Sequence, residues 1–572
     1  MIQNTSHIIK VIVILLLVIP ICTQEASGDA DVNKDGIIDI LDLTVVAKYI
    51  GSNLETIKEV NPDVNGDGVI NILDLVYVVS MFGSVESQHQ KTLIFGRGGD
   101  SVTLDPSRVL DGESAKVCDM IFDTLVQYKG ETTDIEPALA TSWENTLDGL
   151  TWMFNIRQDV KFHDGSQLNA DTVVFSLLRP NVQTSSFLSD FVDSITTLDE
   201  FTVQIQLKSP YAPFLSFLAS IENSIVSMAA VNRFGNDFAM NPVGTGPYKF
   251  DKWHKNGKIE LTANSEHWTG KPSIDRFIFR SIPDNSKRLI ELQKGNIHVM
   301  EFPNPIELII ILEDPNLRLY MKPSLNIGYL AMNLDKPPFD NLKVRLAINH
   351  AINKSKIVES LYRGTGIPAK NPIPPSLWGY DNSIIDYPYD PHHAKQLLAE
   401  AGFPDGFDTT LWALPIPRPY IPDGFAFAEE IKSDLSKIGI QAKIMSHDWQ
   451  TYLDKIQNGE HEMAMFGWIA SADPDNFFYY LLSQHTAEKP ALNISFYRSD
   501  EMQELIDQAR INISRAERIE LYKKAQAIFH RDVPWVPLVH GQRLLVANHN
   551  VRNVKLSPSG WKYLRNLSFE SN

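Results

Sequence analysis

Two stretches of the chain carry the same pattern of oxygen donors. The first runs Asp31, Asn33, Asp35, Ile37, Asp39 and Asp42; the second, 32 residues on, runs Asp63, Asn65, Asp67, Val69, Asn71 and Asp74. In each twelve-residue loop the first, third, fifth, ninth and twelfth positions offer Asp or Asn side chains. The seventh has only its backbone carbonyl to give. Gly36 and Gly68 sit sixth, where the chain must turn sharply. Calcium is a hard cation that takes six to eight oxygens, so the repeat predicts two bound Ca2+ ions. Residues 29–83 carry ten acids against three lysines, a repulsion that bound metal would offset.

The rest of the sequence offers no reactive set. Paired carboxylates with a reason to act together, a Ser–His–Asp signature, an HExxH helix and a phosphate loop are all missing. Asp473 and Asp475 flank Pro474, which is turn chemistry. His392 and His393 are adjacent, so they cannot chelate from one helix face. The ten Trp and 18 Tyr instead supply rigid walls for gripping a solute. The expectation is a binding protein, not an enzyme.

Length and composition frame that expectation. A chain of 572 residues exceeds one core and predicts several domains. A net charge of -18 with no basic stripe excludes a nucleic-acid partner. Lys10 followed by the apolar run Val11–Ile21 reads as an export signal within residues 1–28, because about 11 residues are too few to span a bilayer as a helix. Two cleavage readings stand: a lipid anchor at Cys22, disfavoured by Ile19, Pro20 and Ile21 just before it, and cleavage after Ala26-Ser27-Gly28. The predicted location is secreted, periplasmic or on the outer face of the membrane. Cys118, among apolar helix-like residues, reads as a buried small hydrophobe.

The elements follow from local signals. Each loop runs into a short apolar segment, Leu41–Val46 and Leu73–Val79, readable as a helix. Residues 84–90 are short and polar and read as a linker. From Lys91 strands and helices alternate as in α/β lobes. Thr92–Gly96 and Thr151–Arg157 read as strands. Asn169 can cap a helix over Ala170–Leu178, and Asp390, Pro391 and Gly402 bracket another. Gly424–Ile438 has helical spacing, and Met463–Trp468 has strand length.

Asp at the twelfth loop position, with loop–helix units about 30 residues apart, resembles dockerin modules. That resemblance implies a small all-α module over residues 29–83 with paired EF-hand-like loops, and calcium-dependent docking to a cohesin. The pairs Ile40-Leu41 and Ile72-Leu73 stand where dockerins choose their cohesin, and core packing is an equal reading of them. The large body resembles extracellular solute-binding protein family 5, the receptors of ABC importers, and within it the dipeptide-binding branch. The phrases that carry the likeness are 135–165, NPVGTGPYKF (241–250), 326–354, 373–402, LWALPIPRPYIP (411–422) and 459–478.

The likeness implies an α/β, two-lobed periplasmic-binding-protein-like fold of type II. Lobe 1 would take 91–325 and 526–565, with an extra subdomain at about 136–244; lobe 2 would take 326–525. It implies that Arg418 grips a ligand carboxylate and that Tyr420, Trp449 and Trp468 form aromatic walls. Peptide receptors of the family place an Asp three residues after the last tryptophan to hold an α-ammonium. Here that position is Ser471, so either Asp473 serves or the ligand lacks a free amine there. The expected function is capture of di- or oligopeptides by a monomer and delivery to a membrane permease. Ser471 and the dockerin-like module favour an oligosaccharide or other neutral solute as the alternative. A dockerin-borne hydrolase needs two carboxylates across a cleft, and no pair can be nominated. A purely structural scaffold component is the remaining reading.

Overall fold

The computed structural model describes residues 32–33, 40–52, 57, 60–80, 91–180 and 190–570. The expected signal, the linker and Asp31, Asp35, Ile37 and Asp39 of the first loop lie outside them. The chain divides into two compact units, one to Lys91 and one from Thr92.

In the first unit, helices α1 (Ile40–Tyr49) and α2 (Ile72–Ser80) follow the two loops. Val32, Leu43, Val46, Val64 and Val78 form its small core. The twelfth residue of each loop ties the loop's start to its own helix. Asp42 Oδ1 accepts from the N–H groups of Val32 (2.8 Å) and Asn33 (3.1 Å). Asp74 Oδ1 does the same for Val64 (3.0 Å) and Asn65 (3.3 Å).

The second unit begins with β1 (Thr92–Arg97), followed by α3 (Gly112–Ile121). The chain then builds a separate antiparallel sheet from β2 (Ala140–Asn145), β3 (Thr151–Ile156), β4 (Val192–Asp199) and β5 (Thr202–Leu207), in spatial order β2-β3-β5-β4. It covers its own core, with Trp152, Phe154 and Phe214 at the centre. Asn169 caps the helix Ala170–Leu178 with a complete capping box. The chain returns as β6 (Tyr248–His254), β7 (Lys258–Ala263), β8 (Arg276–Ser281), β9 (Val299–Glu301) and β10 (Leu317–Pro323).

The second lobe is built on β11 (Asn326–Met332), β12 (Asp408–Trp412), β13 (Gln441–Met445) and β14 (Met463–Ile469). The 14-residue strand β15 (Trp535–Asn548) joins it to the first lobe. Its early residues pair with β11, Trp535 opposite Ala331 and Val539 opposite Gly328. Its later residues pair with β10 and β9, Gln542 opposite Pro323 and Leu545 opposite Glu301. The lobes are therefore joined through the β10–β11 link and through β15. The return to the first lobe falls near Val539–Gln542, later than the expected 526. Ala525, Ile528, Phe529, Trp535 and Leu538 bury their side chains in the second lobe's core, so the helix Arg515–Asp532 belongs there.

Candidate functional site

The second calcium-type loop is fully described. Asp63 closes it by accepting from the N–H groups of Asp67 (3.1 Å) and Gly68 (2.9 Å). Asn65 Oδ1 accepts from the same Asp67 N–H at 2.9 Å, and Asp67 Oδ1 takes the Val69 N–H at 2.9 Å. Gly68 holds φ +85°, a conformation that side chains rarely tolerate. Among the described residues, no three His, Cys, Asp or Glu side chains cluster as a metal group. The loop's donors are instead mixed, carboxylates with Asn side chains and the Val69 carbonyl. That oxygen-only set fits a hard cation and suits no softer one. Leu41, Ile72 and Leu73 are half exposed or more rather than packed in the core.

In the large unit, Arg418 is aimed by a tight turn. Its N–H donates to Ile421 O (2.9 Å) and its carbonyl accepts from Ile421 N–H (3.0 Å), with Pro419 and Tyr420 between. The turn lies on three strands of the sheet where glycine leaves room. A Cβ on Gly467 of β14 would overlap the Tyr420 ring, and one on Gly541 of β15 would overlap the Pro419 carbonyl. A Cβ on Gly328 of β11 would stand 2.6 Å from the Tyr420 carbonyl oxygen. Tyr362 donates its hydroxyl to that same oxygen. Tyr420 itself is buried, and burial pushes its phenol up to about 12.

The Arg418 guanidinium carbon stands 4.2 Å from the centroid of the Trp449 ring, within cation–π range. Trp449 is nearly parallel to Phe466 of β14, with centroids 6.4 Å apart. The buried Arg418 Nε has no acceptor among the described residues. Trp468 donates its indole N–H to Asn476 Oδ1 at 3.0 Å, and its ring lies 5.5 Å from that of Tyr480.

The two lobes meet around a cavity of about 790 Å³. Ile469, Ala470 and Ser471 line it from the second lobe; Tyr128 and Glu222 are among its first-lobe residues. Arg418, Tyr420, Trp449 and Trp468 are not in its lining, so of the expected ligand contacts only Ser471 borders it. Tyr128 accepts the Ala472 N–H across the interface at 3.3 Å, and burial raises its phenol to about 12.

Asp473 does not face a ligand amine. Its carboxylate forks to Arg518 at 2.6 and 2.9 Å, both groups buried. A carboxylate matched to a guanidinium in this way is already neutralised. Asp475 lies 3.2 Å from Arg510 Nε and accepts from the Tyr211 hydroxyl of the first lobe at 3.3 Å. Tyr128, Glu222 and Arg510 were not among the residues expected at the cleft. No local pattern marks them, since each meets its partners across hundreds of residues.

Comparison with known proteins places this arrangement. Residues 134–489 match the model of the bacterial extracellular solute-binding proteins, family 5 Middle, and residues 29–82 match the dockerin type I domain. The dipeptide-binding protein of Escherichia coli is 36% identical over 512 residues, covering 85% of this chain and 96% of its own. Heme-binding protein A of Haemophilus influenzae is 34% identical, covering 85% and 93%. The solved periplasmic binding protein DppA of Helicobacter pylori, in complex with peptide STSA, superposes with a TM-score of 0.75 at 37% identity, covering 84% of this chain and 98% of its own.

Proposed function

The chain belongs to the bacterial extracellular solute-binding proteins, family 5, and from that premise we propose that its two lobes close on a short peptide and present it to an ABC permease. Its relatives are binding proteins, not enzymes. The observation that carries the peptide reading is Arg418, a guanidinium stacked on Trp449 whose buried Nε has no acceptor among the described residues. A buried donor left unsatisfied is costly, and a ligand carboxylate would satisfy it through the guanidinium's forked geometry. Lobe closure would bring Tyr128 against Ser471 and Ala472 and shut out water. Location outside the cytoplasm fits the family and the expected signal; among the described residues, no helix is long and apolar enough to cross a membrane.

The front unit tethers the receptor. Asp63, Asn65, Asp67, Val69, Asn71 and Asp74 would hold one calcium ion, and the matching set from Asp31 to Asp42 a second. Bound calcium supplies positive charge to the most acidic part of the chain. Leu41, Ile72 and Leu73, exposed at the start of their helices, support an apolar docking face for a cohesin.

Titration calorimetry with Ala-Ala, longer peptides and cello- or xylo-oligosaccharides tests the reading. Saturable peptide binding is expected. Ser471 favours the second reading, a neutral solute, and binding of the oligosaccharides alone would establish that one instead.

A further inference from the structure

Resting on the peptide reading, we propose that Glu222 holds the cationic end of the ligand, a task that Ser471 cannot perform. Glu222 and Ser471 line the same cavity from opposite lobes. An ammonium enclosed there needs an anion, because an uncompensated buried charge is strongly unfavourable. A serine hydroxyl carries none.

The other acids near this wall are engaged. Asp473 forks to Arg518, and Asp475 meets Arg510 and Tyr211. Of the acids lining the cavity, Asp111 caps α3 through Ser114, Glu136 accepts from Gln127, and Asp119 accepts the Trp561 N–H at 2.8 Å.

Glu222 is positioned for the task by a rigid element. It is the middle residue of the single turn Ile221–Asn223. Asn223 Nδ2 donates to Phe217 O at 2.7 Å, and the Ser224 hydroxyl donates to Ile221 O at 2.6 Å, so both ends of the turn are tied down. The charges in its reach are of its own sign. Asp119 on α3 raises its proton affinity, and Glu222 in turn raises that of Cys118 on α3 and of Tyr480 in the second lobe. Tyr480 lies against Trp468, which links Glu222 to the expected aromatic wall. Burial, with a smaller push from Asp119, lifts the Glu222 carboxyl to about 7. An ammonium arriving at this carboxyl would favour its ionised form and expel its proton.

The test uses the full chain with Ala-Ala and N-acetyl-Ala-Ala as probes, read by calorimetry at pH 7. Wild type should prefer the free amine by more than about tenfold, the scale of a charge-assisted hydrogen bond. Glu222→Gln should bring the two affinities together, and Glu222→Gln with Ser471→Asp should restore the preference. Wild type should also release protons on binding Ala-Ala but not on binding the acetylated peptide, measured in buffers of different ionisation heat. That readout does not depend on a variant folding. A preference that survives Glu222→Gln, equal affinities in wild type, or binding without proton release would each overturn the role of Glu222 alone. Failure of wild type to bind either peptide would overturn the peptide reading and this inference with it.

Discussion

Arg418 and Trp449 form a stacked pair, the guanidinium carbon 4.2 Å from the ring centroid, with Phe466 lying behind the indole. The stack fixes the plane of the guanidinium before any ligand arrives, so little side-chain entropy remains to be lost on binding. Arg418→Ala should weaken peptide binding by about 2–4 kcal/mol, the scale of a charged contact removed from an enclosed site. Arg418→Lys should lose about half of that, since an ammonium keeps the charge but neither forks nor stacks as well. Calorimetry on both variants checks the order; equal losses would show that charge alone matters.

The turn that aims Arg418 depends on three glycines that face it from β14, β11 and β15. Gly467→Ala or Gly541→Ala would drive a methyl into the Tyr420 ring or the Pro419 carbonyl. Overpacking of this kind costs about 1–3 kcal/mol. Affinity should fall along with stability, because the turn must lift away from the sheet and carry Arg418 with it. Chemical denaturation paired with peptide titration measures both. A variant that loses stability but binds normally would uncouple the turn from the site.

The parts of this molecule that were legible in the sequence are those whose partners are close along the chain. The second loop's hydrogen bonds fall within twelve residues, so spacing alone exposed it. The Asn169 cap is equally local, a bond between residues 169 and 172. The engagement of Asp473 was not legible, because its partner Arg518 sits on a helix 45 residues away. Tyr128 meets Ala472 across 344 residues, and only the closure of the lobes brings them together. The late return to the first lobe was hidden for another reason. β15 is a nearly unbroken apolar run that serves both lobes, so nothing in its composition marks the crossing.

His461 should set part of the acid sensitivity of the second lobe. It is fully buried between the Trp412 and Phe496 rings, and burial, aided by Lys336, holds its imidazole down to about 3. The unfolded chain protonates it near its ordinary value of 6.5. Its contribution is therefore fully present above pH 6.5 and is lost as pH falls toward 3. Between pH 7 and 4.5 that loss amounts to about 2–3 kcal/mol. His461→Phe, which keeps an aromatic ring in the cage, should flatten stability over that window. Urea midpoints measured at several pH values check it; an unchanged slope would remove His461 from the account.

Calcium removal should act on the front unit alone. The chain divides into two compact units, and each has its own core. A chelator should lower the melting temperature of the first unit and leave peptide affinity unchanged. Asp74→Ala should have the same effect without a chelator, because Asp74 also anchors the N–H groups of Val64, Asn65 and Asn71. Differential scanning calorimetry of the full chain would show the early transition moving by itself. If peptide affinity fell with the metal, the two units would be coupled.

The closed state is fastened by a second contact between the lobes, and its members should differ sharply in weight. The guanidinium carbon of Arg510 lies 3.6 Å from the Tyr479 ring centroid, its Nε lies 3.2 Å from Asp475, and its carbonyl accepts the first lobe's Ala212 N–H at 2.7 Å. Tyr211 of the first lobe donates to the same carboxylate. Arg510→Ala leaves Asp475 buried without its cation, a loss of about 3–5 kcal/mol in the closed form. Tyr211→Phe removes one hydrogen bond and should cost only about 0.5–1.5 kcal/mol. Opening of the lobes precedes ligand escape, so both variants should act mainly on the dissociation rate. Stopped-flow tryptophan fluorescence separates the rates. The expected order is Arg510→Ala far faster in release than Tyr211→Phe, with association changed little in either. Equal release rates, or an effect confined to association, would mean that Arg510 braces the second lobe without fastening it to the first.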